Sequence, residues 1–276
     1  MIIRLKAPAK VNLCLHVLGQ RPNGFHILDS VVAFLDCGEW VELRKASKTT
    51  LQIIGPQSEK LPVASDNLVL RAANIFPVGC ATEIILHKTM PISSGIGGGS
   101  SDAAATLRGM SELWNIPGPD IAAQLALGAD VPVCMWSKPV VMQGMGEFIS
   151  ELSCMPPLFA CLVNPARAVS TAIIFNQLGS KLNSAMGVIP ECPLSFLDWL
   201  VQQRNDLQAP AVDAEPMIVS VLTELKTHNP KVSRMSGSGA TCFALFETLE
   251  AATSCALGIN KTQPSWWTAS GPLIAS

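Results

Sequence analysis

Tyrosine is absent from this sequence, histidine occurs only four times, and charged residues make up 14% of the chain. So little charge, set against 49% hydrophobic residues, excludes a disordered chain and points to a large buried core. Basic residues are also short of the acidic ones, 19 against 21, and no Lys/Arg block is longer than Arg44-Lys45. The chain therefore lacks the electrostatic footprint of a nucleic-acid binder. Nine cysteines occur without a C-x-x-C pair, and four histidines are few to complete a zinc site with them. Scattered among apolar neighbours, as in 11–15, 131–136 and 159–163, they read as reduced small hydrophobes, which makes cytoplasm the expected compartment. No run of about eighteen apolar residues is present, because Asp130, Lys138 and Glu147 interrupt the longest candidate, so no membrane-spanning helix is expected. The start, 1–17, alternates Arg4, Lys6 and Lys10 with apolar residues and reads as no export signal.

At 276 residues the chain is long for one domain and short for three, so two are expected. Strands are expected at 2–6, 9–19, 27–35, 40–44 and 51–54, a helix over 66–76 and a strand at 83–86. A glycine-rich loop follows at 93–101. Ala104, Leu107, Met110 and Trp114 recur at helical spacing over 102–115, and 121–127 predicts a second helix that Gly128 can terminate. The apolar run 131–136 predicts a strand. Pro-rich 153–157 is the expected boundary, giving domains 1–152 and 153–276. Beyond it come a strand at 158–163, a helix over 171–178, a loop at 180–193, a helix over 213–226 with Pro216 in its first turn, and strands at 231–235 and 241–246 around a second glycine loop, 236–239.

The first loop, Pro91-Ile92-Ser93-Ser94-Gly95-Ile96-Gly97-Gly98-Gly99-Ser100-Ser101, sits between strand and helix, where backbone N–H groups and a helix dipole can converge on an anion. Glycines admit close approach of a phosphate, and Ser100 and Ser101 add hydroxyls able to donate to it or ligate magnesium. A flexible turn would use the same residues. The loop is neither of two familiar nucleotide motifs: G-x-x-x-x-G-K-[ST] is missing, and Ser100 occupies the last position of G-x-G-x-x-G.

The run GIGGGSSDAAA in 91–105 resembles the second motif of the GHMP kinases, named for galactokinase, homoserine kinase, mevalonate kinase and phosphomevalonate kinase. Ala7-Pro8-Ala9-Lys10-Val11-Asn12-Leu13 resembles the first motif of that family, and Met235-Ser236-Gly237-Ser238-Gly239-Ala240 the third. The segments 19–26 (GQRPNGFH), 127–133 (LGADVPV), 144–147 (GMGE) and 205–207 (NDL) resemble the branch of the family that serves the non-mevalonate route to isoprenoids. The resemblance implies an α+β, two-lobed fold, with a ribosomal-protein S5-like N-terminal domain and a ferredoxin-like C-terminal domain. It also implies ATP as phosphoryl donor, Mg²⁺, and a small-molecule acceptor that joins a cytidine diphosphate to a methylerythritol and is phosphorylated at its 2-hydroxyl.

Strand alternation puts Lys10, Asn12, Cys14 and His16 on one face. Taken alone, Lys10 would be a solvated surface lysine and Asp130 a turn aspartate bonding nearby backbone. The resemblance implies instead that they are the catalytic pair, with Asp130 as base or orienter of the attacking hydroxyl and Lys10 as a cation that stabilises developing negative charge. It further implies that Pro91, Ile92, Ser93, Ser94, Gly95, Ile96, Gly97, Gly98, Gly99, Ser100 and Ser101 hold ATP. On the acceptor side it implies His26 as a hydrogen-bonding partner of the cytosine, Phe25 and Phe175 as stacking rings, and Asn12 as a contact of the methylerythritol. Phe25 stands where the family often has Tyr, a change that keeps stacking and removes a phenolic hydrogen bond. Outside the resemblance, His26 reads as a turn residue beside Pro22 and Gly24, Phe175 as a core residue of its helix, and Asp102 as a helix N-terminal residue. No Asp/Glu pair stands out as magnesium ligands.

Overall fold

The computed structural model describes residues 1–61, 63–64, 66–92 and 94–275; Ser93 of the first glycine loop lies outside the described residues. In chain order the elements are β1 (Ile2–Gln20), β2 (His26–Lys45), β3 (Thr50–Ile54), a 3₁₀ turn (Ser58–Lys60), α1 (Leu68–Ala73), β4 (Thr82–His87), α2 (Gly98–Trp114), α3 (Ile121–Leu127), α4 (Val131–Trp136), β5 (Val140–Gly144) and β6 (Phe148–Glu151). There follow β7 (Phe159–Asn164), α5 (Thr171–Asn176), α6 (Pro193–Val201), α7 (Gln208–Ala214), α8 (Met217–Lys226), β8 (Val232–Met235), β9 (Cys242–Phe246), α9 (Leu249–Thr262) and β10 (Trp267–Pro272). The α+β class matches the expectation.

Packing groups the chain into two compact units that do not follow a single cut in the sequence. The first comprises Met1–Ala9, Gly38–Ile92 and Gly97–Trp136; the second comprises Lys10–Cys37, Ser93–Ile96 and Ser137–Ser276.

In the first unit, Trp40–Lys45 of β2 pair antiparallel with β4, and β3 joins the other edge of β4 in parallel. The core lies between these strands and α2, and includes Val41, Leu43, Ile84, Leu86, Ala103, Leu107 and Met110. Three successive alanines, Ala103 to Ala105, are fully buried, which small side chains permit without a packing gap. Helix α2 starts at Gly98, four residues before the expected Asp102, so Gly98 to Ser101 form its first turn.

The apolar run 131–136 forms α4 and corrects the expected strand. A six-residue apolar run carries too little periodicity to separate helix from strand. Pro132 is tolerated because it falls in the first turn. The Arg108 guanidinium caps the other end, donating to the carbonyls of Cys134 (2.8 Å) and Met135 (3.4 Å) that a helix terminus leaves unmatched.

In the second unit, β7, β8, β9 and β10 form an antiparallel sheet in the order β10-β7-β9-β8. With helices between β7 and β8 and α9 between β9 and β10, this is the β-α-β-β-α-β pattern of a ferredoxin-like domain. Its core gathers Val163, Ile218, Val221, Leu225, Ala244, Phe246, Cys255 and Ile259. Leu28–Val32 of β2 pair with β5, which pairs with β6. The single helix expected over 213–226 is two, α7 and α8, because Pro216 caps α8 and cannot donate a hydrogen bond to continue α7. Each of the strand pairs expected at 2–6 and 9–19, and at 27–35 and 40–44, proves to be one long strand. All nine cysteines are free. No helix among the described residues is long and apolar enough to cross a membrane.

Candidate active site

In the second unit, three segments far apart in sequence meet on one hydroxyl. Ser236 Oγ accepts from the backbone N–H of Asn12 (3.1 Å) and donates to the carbonyl of Gly95 (3.0 Å). The N–H of Lys10 donates to the carbonyl of Ile96 (3.0 Å), and that of Thr241 to Ser94 (3.2 Å). The approach is so close that a Cβ at Gly95 (φ +75°) would lie 2.5 Å from the carbonyl oxygen of Ser236 and 2.7 Å from that of Gly239. Glycine is therefore required at Gly95 for both conformation and space.

Lys10, Asn12 and His16 are buried, so the polar face of β1 does not face solvent as a surface strand would. Lys10 Nζ donates to Asn12 Oδ1 (2.9 Å), and Asn12 Nδ2 donates to Ser30 Oγ (2.9 Å). Asn12 thus orients the ammonium, a contact the sequence pattern does not reveal. Asn205 supports the second loop, with Nδ2 donating to the carbonyls of Met235 and Gly237 (2.8 Å each).

At the acceptor end, the turn after β1 carries Phe25 outward, 56% exposed, closed by the N–H of Arg21 donating to the Phe25 carbonyl (2.8 Å). Arg21 forms an ion pair with Glu147, joining two of the segments noted in the sequence. The His26 ring stacks on Phe175 with centroids 4.6 Å apart and planes at 25°. Phe175 therefore meets His26 and packs against the core of this unit, where a base stacked on Phe25 and Phe175 was expected. His26 Nε2 is buried with no hydrogen-bond partner, an orphaned atom suited to a ligand donor or acceptor. Burial, with the Lys181 ammonium adding to it, lowers the His26 pKa, so the ring is neutral at neutral pH.

In the first unit, the N-terminal turn of α2 presents Gly98, Gly99 and Ser100, whose backbone N–H groups precede the first intrahelical acceptors. This is a ready anion site. Ser101 is committed elsewhere: its Oγ donates to the carbonyl of Pro8 (2.8 Å) and it is 1% exposed. Ser100 is left as the hydroxyl of the pair suited to a phosphate or a magnesium ion. Asp130 lies in the turn between α3 and α4, its carbonyl accepting from the N–H of Cys134 (3.1 Å). No group of three His, Cys, Asp or Glu side chains among the described residues is gathered as a metal site.

The profile of the GHMP kinases N terminal domain matches residues 67–138, and that of the GHMP kinases C terminal domain matches 195–264. A 4-diphosphocytidyl-2-C-methyl-D-erythritol kinase of Ruegeria pomeroyi is 43% identical over 281 residues, spanning 99% of this chain and 100% of the relative. One from Cereibacter sphaeroides is 45% identical, spanning 97% and 98%. The chain belongs to the 4-diphosphocytidyl-2-C-methyl-D-erythritol kinase family. The crystal structure of a 4-(cytidine 5'-diphospho)-2C-methyl-D-erythritol kinase superposes with a TM-score of 0.84 at 26% identity, covering 99% of this chain and 100% of that one. A homoserine kinase from Cytophaga hutchinsonii, at 17% identity and a TM-score of 0.71 over 99% and 95%, shares the fold. Within this kinase, the buried residues that sequence reasoning missed are Ser236 as the meeting point of the three motifs, Asn205 beneath the second loop, and a cluster of Glu39, Lys88 and Asp102 below the first turn of α2.

Proposed function

We propose that the chain transfers the γ-phosphate of ATP to the 2-hydroxyl of 4-diphosphocytidyl-2-C-methyl-D-erythritol, a step of the non-mevalonate route to isoprenoid precursors. The observation that carries this reading is the joining of the Lys10–Asn12 strand, the 94–96 turn and the 236–239 loop on Ser236. Family membership over nearly the whole chain supports the same substrate.

In this reading the segment 91–101 cradles the ATP phosphates on backbone N–H groups, helped by the partial positive charge of the α2 N-terminus. Asp130 accepts or orients the proton of the 2-hydroxyl, and the Lys10 ammonium stabilises negative charge as the phosphoryl group moves. Because the transition state is loose, alignment of donor and acceptor supplies much of the rate. Ser100 is the side chain that would hold Mg²⁺, which would supply neutralisation of the phosphate charge. The orphaned His26 Nε2 reads the cytosine edge, and Phe25 with the Phe175 side of the turn flanks the base. The remaining amide hydrogen of Asn12 serves the methylerythritol. We place the domain boundary at 152/153, between the two matched profiles, and the enzyme in the cytoplasm, where nine free thiols stay reduced.

The test is mass-spectrometric detection of a phosphorylated product after incubation with Mg²⁺, ATP and the cytidine substrate, with homoserine and mevalonate in parallel. Product from the cytidine substrate alone is expected. Product from another acceptor would overturn the roles of His26 and Phe25, and ATP binding without product from any acceptor would overturn the activity.

A further inference from the structure

Ser30 lies on β2 in the second unit, fully buried, where no motif of the sequence marks it. Its hydroxyl is engaged at two points: Oγ donates its single proton to the carbonyl of Cys14 (2.6 Å) and accepts from Asn12 Nδ2 (2.9 Å). Asn12 Oδ1 in turn accepts from Lys10 Nζ (2.9 Å). The three side chains form one chain of bonds within this unit, and Ser30, Asn12 and Lys10 are 0%, 1% and 3% exposed.

What each group can donate or accept fixes the direction of every bond. A carbonyl only accepts, so the one hydroxyl proton goes to Cys14 and Ser30 can only accept from the amide. An ammonium only donates, so the amide must turn its oxygen toward Lys10. Both ends demand the same orientation of Asn12. In the flipped amide, Nδ2 would face the Lys10 ammonium, donor against donor, and Oδ1 would face a hydroxyl with no proton left to give.

The surroundings shield this chain of bonds from solvent. Cys14 Sγ lies 3.1 Å from Met186 Sδ, and the N–H of Met186 donates to Oδ2 of Asp29, the residue before Ser30 (3.1 Å). Met186 and Asp29 are themselves buried. Water therefore does not replace the Ser30 hydroxyl, because the gap left by one oxygen atom is smaller than a buried water needs. Without that hydroxyl, an amide hydrogen of Asn12 is left unmatched in the core, a cost the side chain relieves by turning away from its place.

We propose that Ser30 is a positioning residue for phosphoryl transfer: committed to Cys14, its hydroxyl locks the Asn12 amide, and the amide holds the Lys10 ammonium where it acts on the moving phosphoryl group. The inference rests on the proposed role of Lys10. Because a loose transfer depends on alignment, displacing a charged group by about 1 Å costs about 100-fold in rate. The same lock aims the remaining amide hydrogen of Asn12, so acceptor binding is affected along with turnover, whereas the cradle for the ATP phosphates is left as it is.

The test uses Ser30→Cys, which keeps the packing and puts a weakly hydrogen-bonding thiol in place of the hydroxyl, together with Ser30→Ala, so that one variant serves if the other fails to fold. In steady-state kinetics with MgATP and the cytidine substrate, kcat should fall about 10–100-fold and KM for the acceptor should rise. Calorimetric titration with MgATP should show a dissociation constant changed by less than about threefold. Wild-type kcat in either variant, or equal losses of turnover and MgATP affinity, would overturn the proposal. A second reading is the ¹⁵Nζ resonance of Lys10 in lysine-labelled protein, assigned by its loss in Lys10→Met. It should move in both Ser30 variants, which a mere loss of stability does not bring about; an unmoved resonance would also overturn the proposal. If the wild type does not phosphorylate the cytidine substrate, the functional reading fails, and the Lys10 resonance alone decides whether Ser30 sets the ammonium.

Discussion

Two lysines are buried to the same extent, one in each unit, and their surroundings give them different work. Lys88 is clamped by two carboxylates at 2.7 and 2.8 Å, which cancel its charge and fix its place. Lys10 donates to the neutral amide of Asn12 at 2.9 Å, a contact that orients the ammonium. In the proposed transfer, electrostatic work on the phosphoryl group falls to Lys10, while Lys88 ties the segment after β4 to β2 and α2.

Substitutions should separate the two roles. The largest effect is expected on turnover: Asp130→Asn, removing the carboxylate proposed to accept the proton of the 2-hydroxyl, should lower kcat by about 10²–10⁴-fold with ATP affinity little changed, read by steady-state kinetics and calorimetry. Unchanged turnover would remove Asp130 from the reaction.

Lys88→Met should act on stability, because it strands two carboxyls in the core. A loss of about 3–5 kcal/mol is expected, seen as a lower thermal midpoint. Combining it with Asp102→Asn should recover part of that loss, since the two share one cluster. Simple additivity of the two changes would contradict the clamp.

A smaller effect is expected at the meeting of the glycine loops, where Gly95→Ala should cost about 1–3 kcal/mol through strain at positive φ and the close approach to Ser236. The readouts are chemical denaturation and an increased KM for ATP. The smallest is at the acceptor end. Phe175→Ala, which removes the ring under His26, should raise KM for the cytidine substrate about tenfold and leave KM for ATP unchanged; a shift in the ATP constant alone would reassign that end of the site.

Sequence pattern carried the α+β class, the α2 helix and the two glycine loops, because each rests on local spacing that backbone conformation enforces. It failed at 131–136, where a short apolar run is ambiguous and the deciding contact is with Arg108, more than twenty residues away in sequence. It also read one helix across Pro216, where the missing N–H makes two. The contacts that give the candidate site its electrostatics were not legible at all. Glu39, Lys88 and Asp102 lie on separate elements, and Asp102 alone reads as a helix N-terminal residue. Likewise Asn12 carries no mark that its amide faces Lys10, or that Ser236 will reach its backbone, until β1 and the loop after β8 are brought together.

The most direct test of the central claim is the ³¹P spectrum of a reaction containing ATP, Mg²⁺ and 4-diphosphocytidyl-2-C-methyl-D-erythritol. The account predicts ADP and a new phosphomonoester on the 2-hydroxyl in equal amounts, both abolished by Asp130→Asn. Consumption of ATP with release of inorganic phosphate alone, or a phosphoester on a different hydroxyl, would contradict it.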